Sequence, residues 1–322
     1  MGKFKFKNGT VSIVAYHYIR EPSFSNYKNF NYLKFSNFKK QISFFKKNFQ
    51  IISADEMIYF LKFKEKLKKP LLLLSFDDGY IDHYKYVVPT LVKNKIKGCF
   101  YPPINIFKGK LLNVNKIHFI LNFFRNRQIL LNLIETYLLK NFNYKVDKEK
   151  IKKILLKNRI NNKIPEYDDQ ITLLIKKLLQ TILPRQMREK TCNYILFNYL
   201  KMNEKQLCKE IYMNIKQLRE LNSEGMHIGS HGVEHQYWKF HNLEYQKKEI
   251  FFSKNFFKKN NINIKNFSVC YPWGSYNNDT KRLMKKLNLS FGLTSNTGNF
   301  NLSSKINKFF LPRFDANEFK NI

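Results

Sequence analysis

The chain has 322 residues, with 58 Lys or Arg against 24 Asp or Glu, and a formal charge of +34. At 43% hydrophobic and 16% aromatic it can bury a large core, which excludes global disorder. The charge points first to nucleic acid, but only 9 of the basic residues are Arg, the better fork for phosphates and base edges. The 38 Asn, 31 Phe and 3 Ala mark a bias toward A/T-rich codons, so the lysines read as a solvated surface and no specific nucleic-acid partner is expected.

Without a run of 18 apolar residues, no membrane-spanning helix is expected. Val11–Tyr16 is too short for a leader core, and Phe6 breaks the myristoylation pattern, so the expected location is the cytoplasm. Cys99, Cys192, Cys208 and Cys270 are widely spaced and read as buried thiols rather than a zinc knuckle or redox pair.

In chain order, Val11–Tyr16 reads as a buried strand. Phe35, Phe38, Ile42, Phe45 and Phe49 recur at steps of three and four, a helical stripe. Ile51-Ile52 reads as a short strand, Ala54–Phe63 as a helix and Leu71–Phe76 as a parallel strand covered on both faces. Val87–Val92 reads as helical and Gly98–Tyr101 as another strand, an alternation that implies a parallel sheet or barrel.

Helical stripes then dominate: Ile117–Phe124, Ile129–Leu139, Ile171–Ile182, Tyr194–Leu200 and Leu207–Leu221. Strand patterns resume at Met226–Ser230, Phe267–Tyr271, Phe291–Thr294 and Phe309–Pro312. The expected organisation is an α/β body from residues 1–105 and 222–322, with 106–221 a helical insertion packed on it.

Three segments at strand ends carry chemistry. In Ser75-Phe76-Asp77-Asp78-Gly79-Tyr80, adjacent carboxylates follow four leucines, and buried carboxylates are costly unless paired or metal-bound. In His227–His235, His231 and His235 stand four apart, which on a helix puts both imidazoles on one face, while His227 points away. Cys270-Tyr271-Pro272-Trp273-Gly274-Ser275-Tyr276 is an aromatic turn suited to walling a groove. Two carboxylates and two imidazoles make an Asp-His-His metal site with open positions for water and substrate, leaving one carboxylate as general base.

These motifs resemble polysaccharide deacetylases of the NodB-homology type, carbohydrate esterase family four. Ser75–Tyr80 is similar to the family's Thr-Phe-Asp-Asp-Gly motif, Ser230–His235 to its histidine motif, and Cys270–Gly274 to its Arg-x-Pro-Tyr-Gly motif. Ala15-Tyr16-His17-Tyr18 resembles a Tyr-His segment that opens one branch. The resemblance implies a distorted (β/α) barrel of fewer than eight strands with its site at the C-terminal strand ends. It implies a metal-dependent hydrolase that removes an N-acetyl group from an amino sugar of a surface polysaccharide, a glycolipid or its precursor.

By the same resemblance Asp77 is the general base, and Asp78, His231 and His235 hold a divalent metal, zinc first. Tyr271, Pro272, Trp273, Gly274, Tyr276 and Arg313 are expected at the substrate, with a backbone N–H near Tyr276 assisting the oxyanion. Cys270 stands at the family's Arg position, where Arg313 is the candidate substitute, and Trp273 replaces the usual Tyr. No His follows His241, and the branch of the family opened by the Tyr-His segment uses that histidine as general acid, so the resemblance implies the role for His17, with Asp315 as a supporting partner. The lysine surface suits peripheral contact with anionic lipid at the inner membrane face. The alternative is a catalytically impaired glycan-binding protein on the same fold, motivated by Cys270.

Overall fold

The computed structural model describes residues 8–21, 30–65, 68–151, 153 and 169–319. Phe6 and its neighbours, read above for lipidation, lie outside the described residues. The chain divides into two compact units, residues 1–25, 31–110 and 208–322 in one and 26–30 and 111–207 in the other.

The first unit carries the strands: β1 (Thr10–Tyr16), β2 (Ile19–Arg20), β3 (Leu33–Lys34), β4 (Gln50–Ile51), β5 (Leu71–Asp77) and β6 (Cys99–Tyr101). After the second unit come β7 (His227–Ile228), β8 (Val269–Cys270), β9 (Gly292–Leu293), β10 (Phe300–Asn301) and β11 (Phe314–Asp315). The main sheet runs β10-β1-β5-β6-β7, with β11 also on β1 and β4 also on β5. Its pairs are parallel except β1 with β10.

Single bridges extend the pairing. Ser230 with Val269 links the end of β7 to β8, β8 pairs with β9, and Leu293 with Leu311 links β9 to the segment entering β11. Because β11 lies on β1, the pairings form a circuit, the distorted (β/α) barrel expected from the sequence. Phe309–Pro312 is not a strand; only Leu311 pairs, since Phe309 and Phe310 leave the sheet in a turn.

β5 is buried along its whole length and shows how a strand serves two cores. Side chains alternate faces along a strand. Leu72, Leu74 and Phe76 accordingly pack outward against the helix Phe35–Asn48, through Phe38, Ile42 and Phe45. Leu71 and Leu73 turn inward with Val11, Ile13, Cys99, Tyr101, Cys270 and Leu293. The same alternation sends Ser75 and Asp77 to the inner face at the strand's C-terminal end.

The helix Ala54–Phe63 starts on a Ser53–Glu56 capping box. The stripe Leu207–Leu221 breaks into two helices, Glu204–Ile211 and Ile215–Ser223, because Tyr212 leaves the helix to bridge Tyr80. Leu218 and Leu221 then join the outer core of the first unit. The long helix Leu243–Lys259, unmarked in the sequence reading, is capped by Asn242 and buries Glu249, Ile250, Ser253 and Phe257.

The second unit is helical. Asn113–Phe123, Arg127–Phe142, Gln170–Lys177 and Arg185–Asn193 bury Ile117, Leu130, Ile134, Ile175 and Cys192 among them. Asn126 and Asp169 cap two of these helices with side-chain oxygens. The four cysteines are buried and joined by no disulfide. Among the described residues, no helix is long and apolar enough to cross a membrane.

Candidate active site

The inner face of β5 delivers Asp77 to a buried cluster. Arg313 Nη1 lies 3.0 Å from Asp77 Oδ1 and 2.8 Å from Oδ2, and the Cys270 thiol donates to Oδ2 at 3.5 Å. Arg313 is fixed in turn by donating from Nε to the Thr294 carbonyl at 2.8 Å and from Nη1 to Ser75 Oγ at 3.2 Å. Burial by itself would raise the Asp77 carboxyl, but the charge of Arg313, with His231 and His17, holds it well below the usual carboxylate range. Burial opposes the Arg313 charge too, and Asp77 beside it more than restores it. Burial pushes the Cys270 thiol far up, so it remains a protonated donor.

Asp78 leaves the strand at φ 68°, followed by Gly79 at φ 68°. A Cβ on Gly79 would sit 2.5 Å from Ile106 and 2.7 Å from Pro102, so glycine is required there for both conformation and space. This reversal separates the neighbouring carboxylates. Asp78 Oδ2 accepts from the buried Tyr80 hydroxyl at 2.8 Å, while Oδ1 faces His231 Nε2 at 3.6 Å and His235 Nε2 at 3.4 Å.

The two imidazoles meet through a loop, not the helix face that their spacing suggested. His235 has φ 55°, and the rings stand 4.8 Å apart between centroids. The buried Glu249 carboxylate holds the loop by accepting from Val233 N–H at 2.8 Å. Trp273, itself at φ 61°, donates its indole N–H to the His235 carbonyl at 3.2 Å. Asp78, His235 and Trp273 are thus three non-glycine residues in left-handed conformation at one site, each a strain of about 1–3 kcal/mol that the surroundings must support.

His231 Nδ1 lies 2.7 Å from the Cys270 carbonyl, which can only accept, so Nδ1 carries the proton and Nε2 presents its lone pair toward Asp78. Burial pushes His231 down to about 4 and His235 down to about 3, so both rings are neutral at physiological pH. Among the described residues, Asp78 Oδ1 is a buried oxygen with no hydrogen-bond partner. One carboxylate oxygen and two neutral imidazole nitrogens within 4.8 Å of one another fit a divalent cation such as zinc. Asp77, His231 and Cys270 also lie within that span. The guanidinium on Asp77 and the protonated thiol make that second set hostile to a cation.

His17 follows β1 and stays 47% exposed in its side chain, with Nε2 3.9 Å from Asp77 Oδ2. The remaining expected residues divide. Trp273 and Tyr276 are half-buried on the turn with Gly274. Pro272 is buried, and Tyr271 is wholly buried with its hydroxyl donating to the Phe309 carbonyl at 2.8 Å, so Tyr271 backs the turn rather than facing a groove. Arg313, expected at substrate, is buried against Asp77. Asp315 is exposed and turned to Asn317, away from the site. His227 bonds Ser268 Oγ at 2.7 Å, in keeping with its reading as pointing away.

Glu249, Asp82 and His83 escaped the sequence reading. Glu249 sits in a helix of ordinary composition. Asp82 and His83 follow the carboxylate motif closely enough to be taken for its turn.

Residues 168–292 match the family model of polysaccharide deacetylase, a span that includes His231, His235 and the Cys270–Gly274 turn but stops short of Asp77 and Asp78. No curated protein matches the chain. Three similar solved structures cover nearly all of it at low identity. The Streptococcus pyogenes deacetylase PplD in complex with acetate is 18% identical over 96% of this chain and 93% of its own, with TM-score 0.55. IcaB from Ammonifex degensii is 13% identical over 98% and 95%, with TM-score 0.52. The BpsB deacetylase domain from Bordetella bronchiseptica is 14% identical over 97% and 97%, with TM-score 0.53. The chain thus shares its fold with these solved deacetylases, and its residues 168–292 are similar to the polysaccharide deacetylase family.

Proposed function

We propose that this chain hydrolyses the N-acetyl group of an amino sugar in a surface polysaccharide, a glycolipid or its precursor, with a divalent metal, zinc first, held by Asp78, His231 and His235. The observation that carries the reading is the Asp77 carboxylate, held ionised by Arg313, beside an orphaned Asp78 oxygen facing two neutral imidazoles. When bound, the cation supplies the charge that polarises the amide carbonyl and offsets the developing oxyanion. Asp77 takes a proton from the attacking water as its oxygen bonds to the carbonyl carbon. His17 delivers a proton to the sugar nitrogen as the C–N bond breaks, and the products are a free amine and acetate. Acetate is also the molecule bound in the similar Streptococcus deacetylase.

The impaired-binder alternative rested on Cys270 at the family's Arg position. Arg313 places a guanidinium on the same carboxylate from another segment, which favours the enzyme. The +34 charge supports the further reading that the enzyme works at an anionic lipid surface on the cytoplasmic side. Acetate release from a tetramer of N-acetylglucosamine by zinc-loaded protein, abolished by a chelator and restored by zinc, is the expected result. Turnover that survives full metal removal would sink the metal reading.

A further inference from the structure

We propose that Asp82 and His83 are positioning residues that hold the His17 segment against Asp77, so that one stretch of chain, residues 77–83, places both the base and the acid. This rests on the reading of His17 as the proton donor.

The contacts are consecutive. His83 Nε2 lies 2.8 Å from the His17 carbonyl, which can only accept, so the ring donates. The Tyr18 ring stacks on Tyr80 at 3.9 Å between centroids. Ile19 N–H donates to Asp82 Oδ2 at 3.3 Å, and Arg20 Nε donates to the same oxygen at 2.8 Å. Arg20 also lies over the Tyr18 ring, 4.8 Å from its centroid. Four successive residues from His17 to Arg20 are therefore tied to Tyr80, Asp82 and His83. Tyr80 also bonds the metal-facing Asp78.

Stability alone does not explain these side chains. Asp82 is 3% exposed and His83 is 0% exposed, and His83 is surrounded by Phe76, Tyr80 and Phe100. A buried ion pair is often no better than well-packed apolar residues of the same volume. His83 additionally carries a buried Nδ1 with no hydrogen-bond partner among the described residues, which is a cost. Burial pushes the ring down to about 4, which keeps it neutral and a donor. What the polar pair provides and apolar residues would not is a fixed register for the backbone of residues 17–20. His17 needs it, because its own ring is 47% exposed and has little packing to orient it.

The test uses zinc-loaded full-length protein. His83→Phe keeps the ring volume and removes the donor. It is expected to speed amide hydrogen exchange in the peptide containing Ile19 and Arg20 by about tenfold. With the N-acetylglucosamine tetramer, kcat falls by about tenfold while KM stays within about twofold, and zinc content is unchanged. His83→Gln, whose amide can donate to the same carbonyl, recovers most of kcat. In a His17→Gln background, His83→Phe lowers kcat no further. Unchanged exchange, or an equal loss with and without His17, overturns the positioning role while leaving the acid role of His17 standing. A His17→Gln enzyme with full kcat sinks the acid role and this proposal together. If His83→Phe does not fold, Asp82→Asn carries the same test with the same expected directions.

Discussion

Asp78, His231 and His235 are almost sealed from solvent, with side-chain exposures of 6%, 3% and 8%, whereas His17 keeps 47% of its side chain exposed at 3.9 Å from Asp77. On the buried side it is the reactive side chains themselves that are held: Asp77 by Arg313, Asp78 by Tyr80, and His231 by the Cys270 backbone carbonyl. The exposed side is organised through backbone, by His83 and Asp82 on the carbonyl and amide groups of residues 17–19. Burial keeps both imidazoles neutral, the state in which they can ligate the proposed metal. As the proposed proton donor, His17 keeps contact with solvent and is held from behind through its backbone carbonyl.

The largest effects break the buried side. His231→Ala is expected to take metal content from about one per chain to near zero and acetate release down by about a thousandfold. Metal analysis that shows full occupancy in that variant would overturn the ligand set. Asp77→Asn is expected to keep the metal and lose about 10²–10⁴ in kcat, which separates the base from the ligands on one strand end. An active Asp77→Asn enzyme with bound metal removes Asp77 from the role of base.

Arg313→Met sharpens the comparison through pH. Burial raises the Asp77 carboxyl and Arg313 is the foremost influence that lowers it, so losing the guanidinium leaves burial to dominate and the pKa rises. The acid limb of kcat/KM should move up by about 1–3 pH units. Ionised Asp77 contributes stability above the ordinary carboxylate range and loses it as pH falls through its folded value; the variant lacks that contribution, so its stability deficit against wild type should be largest near neutral pH and shrink as pH falls. Cys270→Arg in the Arg313→Met background should bring the limb back down, since both positions face the same carboxylate. An unmoved acid limb would show that Arg313 does not control Asp77.

The smallest effect concerns the surface. Co-sedimentation with vesicles carrying anionic lipid should exceed that with neutral vesicles and vanish by moderate salt. Equal binding to both would remove the membrane reading and leave the site untouched.

Much of the site was legible because it lies on short, local signals. Asp77 and Asp78 follow a continuous apolar strand, and His231 and His235 follow another, so local pattern alone put four groups at strand ends. The helix assumed between the imidazoles was wrong because Gly232, at φ 74°, and His235 in the left-handed region divert the chain, and no periodicity encodes that. Tyr271 was misplaced toward substrate because an aromatic in a Pro-Gly turn looks the same in sequence whether it backs the turn or faces a groove. Glu249, Asp82 and His83 were missed since each acts on backbone groups distant in sequence, and backbone groups leave no residue-type signature.

The sequence by itself determined the strand–helix alternation, the helical middle and the identity of the Asp and His groups, because periodicity and strand-end chemistry are properties of neighbouring residues. Only the tertiary structure decided which cation serves Asp77. Arg313 lies 236 residues away along the chain and arrives only when β11 closes the sheet onto β1. A carboxylate buried to this degree stays ionised only beside a compensating charge, and which distant segment supplies it is fixed by barrel closure.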